Sequence, residues 1–177
     1  MIKKWFLLLM SVCLLSGCTK SNIIPDGNDE QPMSADGIVW DQIWDDMEMI
    51  YEDPVDYPFV ESVNVGVFPE DNTIKFFLIL KEEISVEEAE RYAITVVKGF
   101  NDLIWAQNSS YAASADLSYG GYVEQFNLHV VVTLEENKEN REAWILEDGI
   151  PAGTYRPIEA ADEMEDDGEE ESTAAES

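Results

Sequence analysis

The chain has 177 residues, with 10 Lys and Arg against 38 Asp and Glu and a formal net charge of −28. That balance argues against a nucleic-acid partner, which needs a basic footprint, and against a domain lying flat on anionic lipid. The length bounds the chain to one folded domain with flexible ends. Only two cysteines are present, Cys13 and Cys18, so no disulfide framework holds the fold together.

Lys3 and Lys4 precede an uncharged apolar run, Trp5 to Leu15, and then come Ser16, Gly17 and Cys18. A basic start, a short apolar run and a small-residue site have the layout of a secretory signal. The run is shorter than the roughly 20 residues that a bilayer span needs. The stretch Leu15-Ser16-Gly17-Cys18 resembles the lipobox of bacterial lipoproteins. The resemblance covers this N-terminal segment alone. It implies that residues 1–17 are a cleaved signal peptide and that Cys18 is lipidated. The rest of the chain is then anchored at the extracytoplasmic side of the cell membrane. Cys13 leaves with the signal, so the mature chain keeps no free thiol. Thr19 stands where an Asp often retains lipoproteins at the inner membrane of two-membrane bacteria, which leaves the envelope type open.

Residues 18–35, rich in Pro, Gly, Asn and Asp, read as a flexible tether. A globular domain is expected over residues 36–158. Its first element is a helix, because Trp40, Ile43, Trp44, Met47, Ile50 and Tyr51 recur at steps of three and four. Asp36 is the candidate cap and Pro54 the stop. A hairpin follows. Val63, Val65 and Val67 alternate with Ser62, Asn64 and Gly66; Pro69 to Asn72 is turn chemistry; Ile74, Phe76, Leu78 and Leu80 form the return. The return is apolar on both faces near its middle, as a central strand would be.

Ser85 and Glu88 form a capping box for a second helix. Its stripe is Ala89, Tyr92, Ala93, Val96, Phe100, Leu103 and Ile104. Gly99, costly inside a helix, marks a close approach of another backbone. A small-residue loop runs from Asn108 to Gly121. A second hairpin places Phe126, Leu128, Val130, Val132 and Leu134 on one face, with Gln125, Asn127, His129, Val131 and Thr133 on the other. Glu135 to Asn140 makes its turn, Ala143 to Glu147 its return, and an irregular segment closes the domain.

The order helix, hairpin, helix, hairpin predicts an α+β two-layer sandwich. Its four-stranded antiparallel sheet would carry both helices on one face and leave the polar face wet. Residues 159–177, with Met164 as their only large apolar side chain, read as a disordered acidic tail.

Sites are sparse. His129, the only histidine, lies on the outward strand parity, and catalysis there would require a nucleophile and an orienting carboxylate. No G-x-S-x-G elbow accompanies it, so it reads as an exposed sheet histidine. A zinc site would have to be completed by carboxylates, an unusual set. Asp45, Asp46, Glu52, Asp53 and Asp56 crowd around the end of the first helix. They read as a solvated acidic face, or as a weak divalent-cation site without the spacing of a calcium loop. With 38 acids, a glycosidase-like carboxylate pair carries no signal without distances.

Tyr111, Tyr119 and Tyr122, set among Ser, Gly and Ala, offer adaptable contact area for a partner; the plainer reading is a connector. No phosphate loop or dinucleotide fingerprint is present, and no cofactor or metal is expected. The leading expectation is a membrane-anchored extracytoplasmic lipoprotein, not an enzyme, whose domain binds an envelope protein. The alternative is a small-molecule or divalent-cation binder, although one compact domain does not make a two-lobed solute receptor. A hydrolase using His129 or a carboxylate pair ranks last.

Overall fold

A computed structural model describes residues 36–160; the expected signal peptide, Cys18 and the expected tether, and the expected tail from residue 161 onward lie outside the described residues. The elements run α1 (Trp40–Tyr51), β1 (Val60–Phe68), β2 (Thr73–Leu80), α2 (Val86–Gln107), β3 (Asn127–Leu134) and β4 (Leu146–Ile150), with short 3-10 turns between them. The result is an α+β fold with a four-stranded mixed sheet and two helices. No helix among the described residues is long and apolar enough to cross a membrane.

The sheet order is β1-β2-β3-β4. Both hairpins form, but the sheet is not antiparallel throughout, because β2 and β3 run parallel and pair from Thr73 with Asn127 to Leu80 with Leu134. The reason is the connection. At 22 residues, α2 is about 33 Å long against roughly 26 Å for β2. It carries the chain back past the start of β2, so β3 enters beside β2 in the same direction.

One row of side chains on the sheet belongs to the hydrophobic core. Ile74, Phe76, Leu78, Leu80, Leu128, Val130, Val132, Leu146 and Ile150 are buried there. They meet the stripe of α2, in which Ala89, Tyr92, Ala93, Val96, Val97, Phe100 and Ile104 are buried. Phe100 packs edge-on against Phe76 at 5.4 Å. It also stacks on Trp44 at 5.9 Å, which in turn stacks on Trp40 at 5.4 Å.

Several local expectations are corrected. The N-cap of α1 is Val39, not Asp36. The Val39 N–H donates to Gln107 Oε1 (2.7 Å) and the Gln107 amide donates back to the Val39 carbonyl (3.4 Å), so the helix start is fastened to the end of α2. Half of the capping box forms: Ser85 Oγ accepts from Glu88 N–H at 3.2 Å, while the Glu88 carboxylate pairs with Arg91 at 2.6 Å. What approaches Gly99 is the Tyr51 side chain rather than backbone, since a Cβ there would overlap its hydroxyl.

The outward face is also less wet than the alternation suggests. Ile79, Val131 and Thr133 are buried on it. The β3–β4 connection brings Trp144 edge-on to Phe77 at 5.7 Å. Ala143 and Trp144 belong to this connection because 3-10 hydrogen bonds to Asn140 and Arg141 hold them, so β4 starts at Leu146 instead of Ala143.

Candidate functional site

The loop between α2 and β3 is built on one buried side chain. Asn101 Oδ1 accepts from the Tyr122 and Val123 N–H groups (3.0 and 3.4 Å), and its Nδ2 donates to the Ala112 carbonyl (3.0 Å). Asp102 accepts from the Ser114 N–H and hydroxyl, and Glu124 accepts from the Ser118 hydroxyl and Tyr119 N–H. Gly120 holds φ +102°, and a Cβ there would overlap the Asn101 amide, so only glycine fits.

Within this loop Tyr119 and Tyr122 are buried and Tyr111 is half-buried. Tyr119 donates to the Arg156 carbonyl at 2.9 Å, and Tyr122 lies among Trp40, Tyr111 and Phe126. Burial pushes both hydroxyls above the usual tyrosine range. Tyr119 and Tyr122 therefore fasten the loop to the core, Tyr111 keeps part of its ring at the surface, and Tyr122 also lines a groove beside β1.

The acidic residues near the end of α1 do not converge. Glu52 accepts from the Val63 N–H (3.1 Å), and Asp53 turns back on the Val55 and Asp56 N–H groups. Among the described residues no three His, Cys, Asp or Glu side chains gather to hold a metal ion. The expected weak cation site at Asp45, Asp46, Glu52, Asp53 and Asp56 thus lacks a cage.

His129 is half-exposed on the outward face, with Nε2 2.8 Å from Glu147 Oε1, and Arg141 binds the other oxygen of that carboxylate. Burial raises the Glu147 carboxyl, but the bonds from His129 and Arg141 outweigh it and hold it below the usual range. Behind the sheet, Asp148 sits in the core row of β4. Arg156 clamps it in a two-pronged pair (2.6 and 2.5 Å) and the Glu159 N–H adds 3.0 Å. Burial again raises and these bonds lower the acid, with a depressed net value. The Ala160 N–H donates to Glu90 (3.1 Å). Both edge regions of the closing segment are thereby tied down as far as the last described residue.

Among the described residues, no strand pairs with the other edge of the sheet. Strand β1 is an edge strand, and its Val63 N–H points away from β2 toward Glu52. By strand alternation the backbone groups of Val65 and Val67 point the same way. Beside them lies a groove of about 520 Å³ whose lining includes Asp36, Trp40, Trp44, Val65, Val67 and Tyr122. The aromatic cluster was legible in the sequence; its position against the edge strand β1 was not.

Comparison with known proteins found no family model, no curated protein and no solved structure that matches the chain.

Proposed function

We propose that the chain is a bacterial envelope lipoprotein anchored through Cys18, whose domain binds a protein partner without catalysing a reaction. In this reading the two helices and the sheet make a two-layer sandwich that serves as a rigid platform. The observation that carries it is the edge of β1, which no other strand pairs with among the described residues, beside an aromatic groove. Exposed strand edges are ready pairing sites that natural proteins otherwise cover; at the β4 edge Arg156 donates to the Gly149 carbonyl at 2.9 Å. In-cell crosslinking of the full-length chain, with identification of what it captures, tests the reading. One dominant envelope protein is expected. A turnover activity abolished by His129→Ala would replace the reading with an enzyme.

A second reading, small-ligand binding, is favoured by a depression of about 400 Å³ lined by Ile50, Asp56, Tyr57, Arg91, Tyr92 and Thr95. Arg91 lies 5.8 Å over the Tyr92 ring there.

A further inference from the structure

We propose that the depression between the loop after α1 and the N-terminal half of α2 binds a neutral sugar, through ring contact with Tyr57 and hydrogen bonds to Asp56, Arg91 and Tyr92. This deepens the small-ligand reading above and rests on it.

The walls are fixed without a ligand. Asp53 Oδ1 accepts from the Val55 and Asp56 N–H groups (2.7 and 3.3 Å), and the Asp53 carbonyl accepts from the Tyr57 N–H (2.8 Å). These bonds place Asp56 and Tyr57 without using the Asp56 carboxylate. The Tyr57 ring meets the buried Tyr51 edge-on at 5.0 Å, and Tyr92 meets Phe59 edge-on at 6.4 Å. Tyr57 and Tyr92 stand 5.8 Å apart at 59°, so they make a corner rather than a closed stack. The volume of about 400 Å³ lies in the range of small-molecule sites, roughly 300–1,000 Å³.

Hydrogen-bonding capacity is left over at this corner. Only 8 % of Tyr92 is exposed, yet its hydroxyl bonds to no other group among the described residues, and neither does that of Tyr57. No unpartnered side-chain atom among them is sealed from solvent, so the Tyr92 hydroxyl opens at the depression its ring lines. Burial raises both phenols above the usual tyrosine range, so both keep a proton to donate. The Asp56 carboxylate accepts no bond among the described residues. Thr95 donates to the Arg91 carbonyl (2.8 Å), which leaves its lone pairs free to accept.

Charge and polarity select the ligand. Arg91 is the one cation in the lining, and Glu88 already holds it at 2.6 Å. An anion, or the carboxylate of a zwitterion, would have to displace Glu88 and approach Asp56. A cation drawn to the Tyr92 ring would meet the Arg91 guanidinium, which lies 5.8 Å over it. A purely apolar ligand would strand five of the six lining side chains, since only Ile50 lacks a hydrogen-bonding group. What remains is a neutral ligand with groups that both donate and accept and with an apolar face for an aromatic ring. Sugar hydroxyls do the first and the C–H face of the sugar ring does the second.

The probes are glucose, galactose, mannose, N-acetylglucosamine, cellobiose and chitobiose, each titrated into the full-length chain while its NMR signals are followed. Choline and free glycine are the charged controls. At least one sugar is expected to shift the Asp56, Tyr57 and Tyr92 signals saturably. Tyr92→Phe keeps the ring and should weaken that binding roughly three- to tenfold, the range of one hydrogen bond. Tyr57→Ala should abolish it. Asp56→Asn, at an exposed side chain, should weaken it to a similar extent as Tyr92→Phe, and it keeps the test valid if Tyr57→Ala does not fold.

Saturable shifts at these residues with choline or glycine and with no sugar would overturn the sugar assignment and leave the small-ligand reading standing. Shifts with no probe at all would end both. A sugar that binds Tyr92→Phe and Asp56→Asn as tightly as wild type would lie elsewhere on the molecule and would overturn this site.

Discussion

Gly99 shows how one missing side chain shapes this molecule. By intrinsic preference, Ala in its place should favour α2 by up to about 1 kcal/mol. Yet a Cβ there would overlap the Tyr51 hydroxyl, which sits over the helix and donates to the Thr95 carbonyl. We expect Gly99→Ala to lower stability by about 1–3 kcal/mol, the usual cost of overpacking. Tyr51→Phe in the same chain should return part of it, because the ring carbon behind the hydroxyl also crowds the site. Denaturant midpoints of the single and double variants check this; a stabilised Gly99→Ala would show that the helices are free to separate. The glycine was legible as an anomaly, but the identity of its neighbour depends on how α1 meets α2, which periodicity does not encode. Asn101 was legible in a similar way and passed over. It is a polar residue in line with Val97 and Ile104 on a buried stripe, where an amide is stable only with its hydrogen bonds made.

At the scale of elements, the segment after β4 is held by charge. Asp148 is nearly buried and depends on Arg156 and the Glu159 N–H. Its folded value lies below that of the unfolded chain, so its contribution is complete above about pH 4, the ordinary Asp range. The contribution is lost as pH falls through the depressed value. Glu147, held down by His129 and Arg141, acts with the same sign. Acid titration of stability should therefore be steeper for wild type than for Asp148→Asn, and identical curves would refute the assignment. Arg156→Met should cost about 2 kcal/mol at neutral pH, the order of a hydrogen bond to a charged group.

Elements themselves were readable. Helices and strands announced their periods, and five of the six begin or end within a few residues of the expected place; β4 starts three residues later. Strand direction was not readable, because alternation is the same in parallel and antiparallel pairs. The burial of Tyr119 was hidden too, since its partner, the Arg156 carbonyl, is remote in sequence.

For the whole molecule, the anchor and the domain make separable predictions. Cys18→Ala should leave an uncleaved, unlipidated precursor that leaves the lipid-anchored fraction, as fractionation and mass measurement would show. The domain, which contains neither cysteine, should keep its melting temperature. Normal anchorage of Cys18→Ala would remove the lipoprotein reading without touching the fold. The parallel β2–β3 pair carries a kinetic consequence. The centre of the sheet joins residues on either side of α2 and its loop, so neither hairpin can complete its half of the core alone. Loop closure over that span must precede the central contacts, which slows folding relative to a chain of local hairpins. A chain cut between α2 and β3 should then yield no autonomously folding half, and the last strands to leave the ribosome decide when the first ones become native.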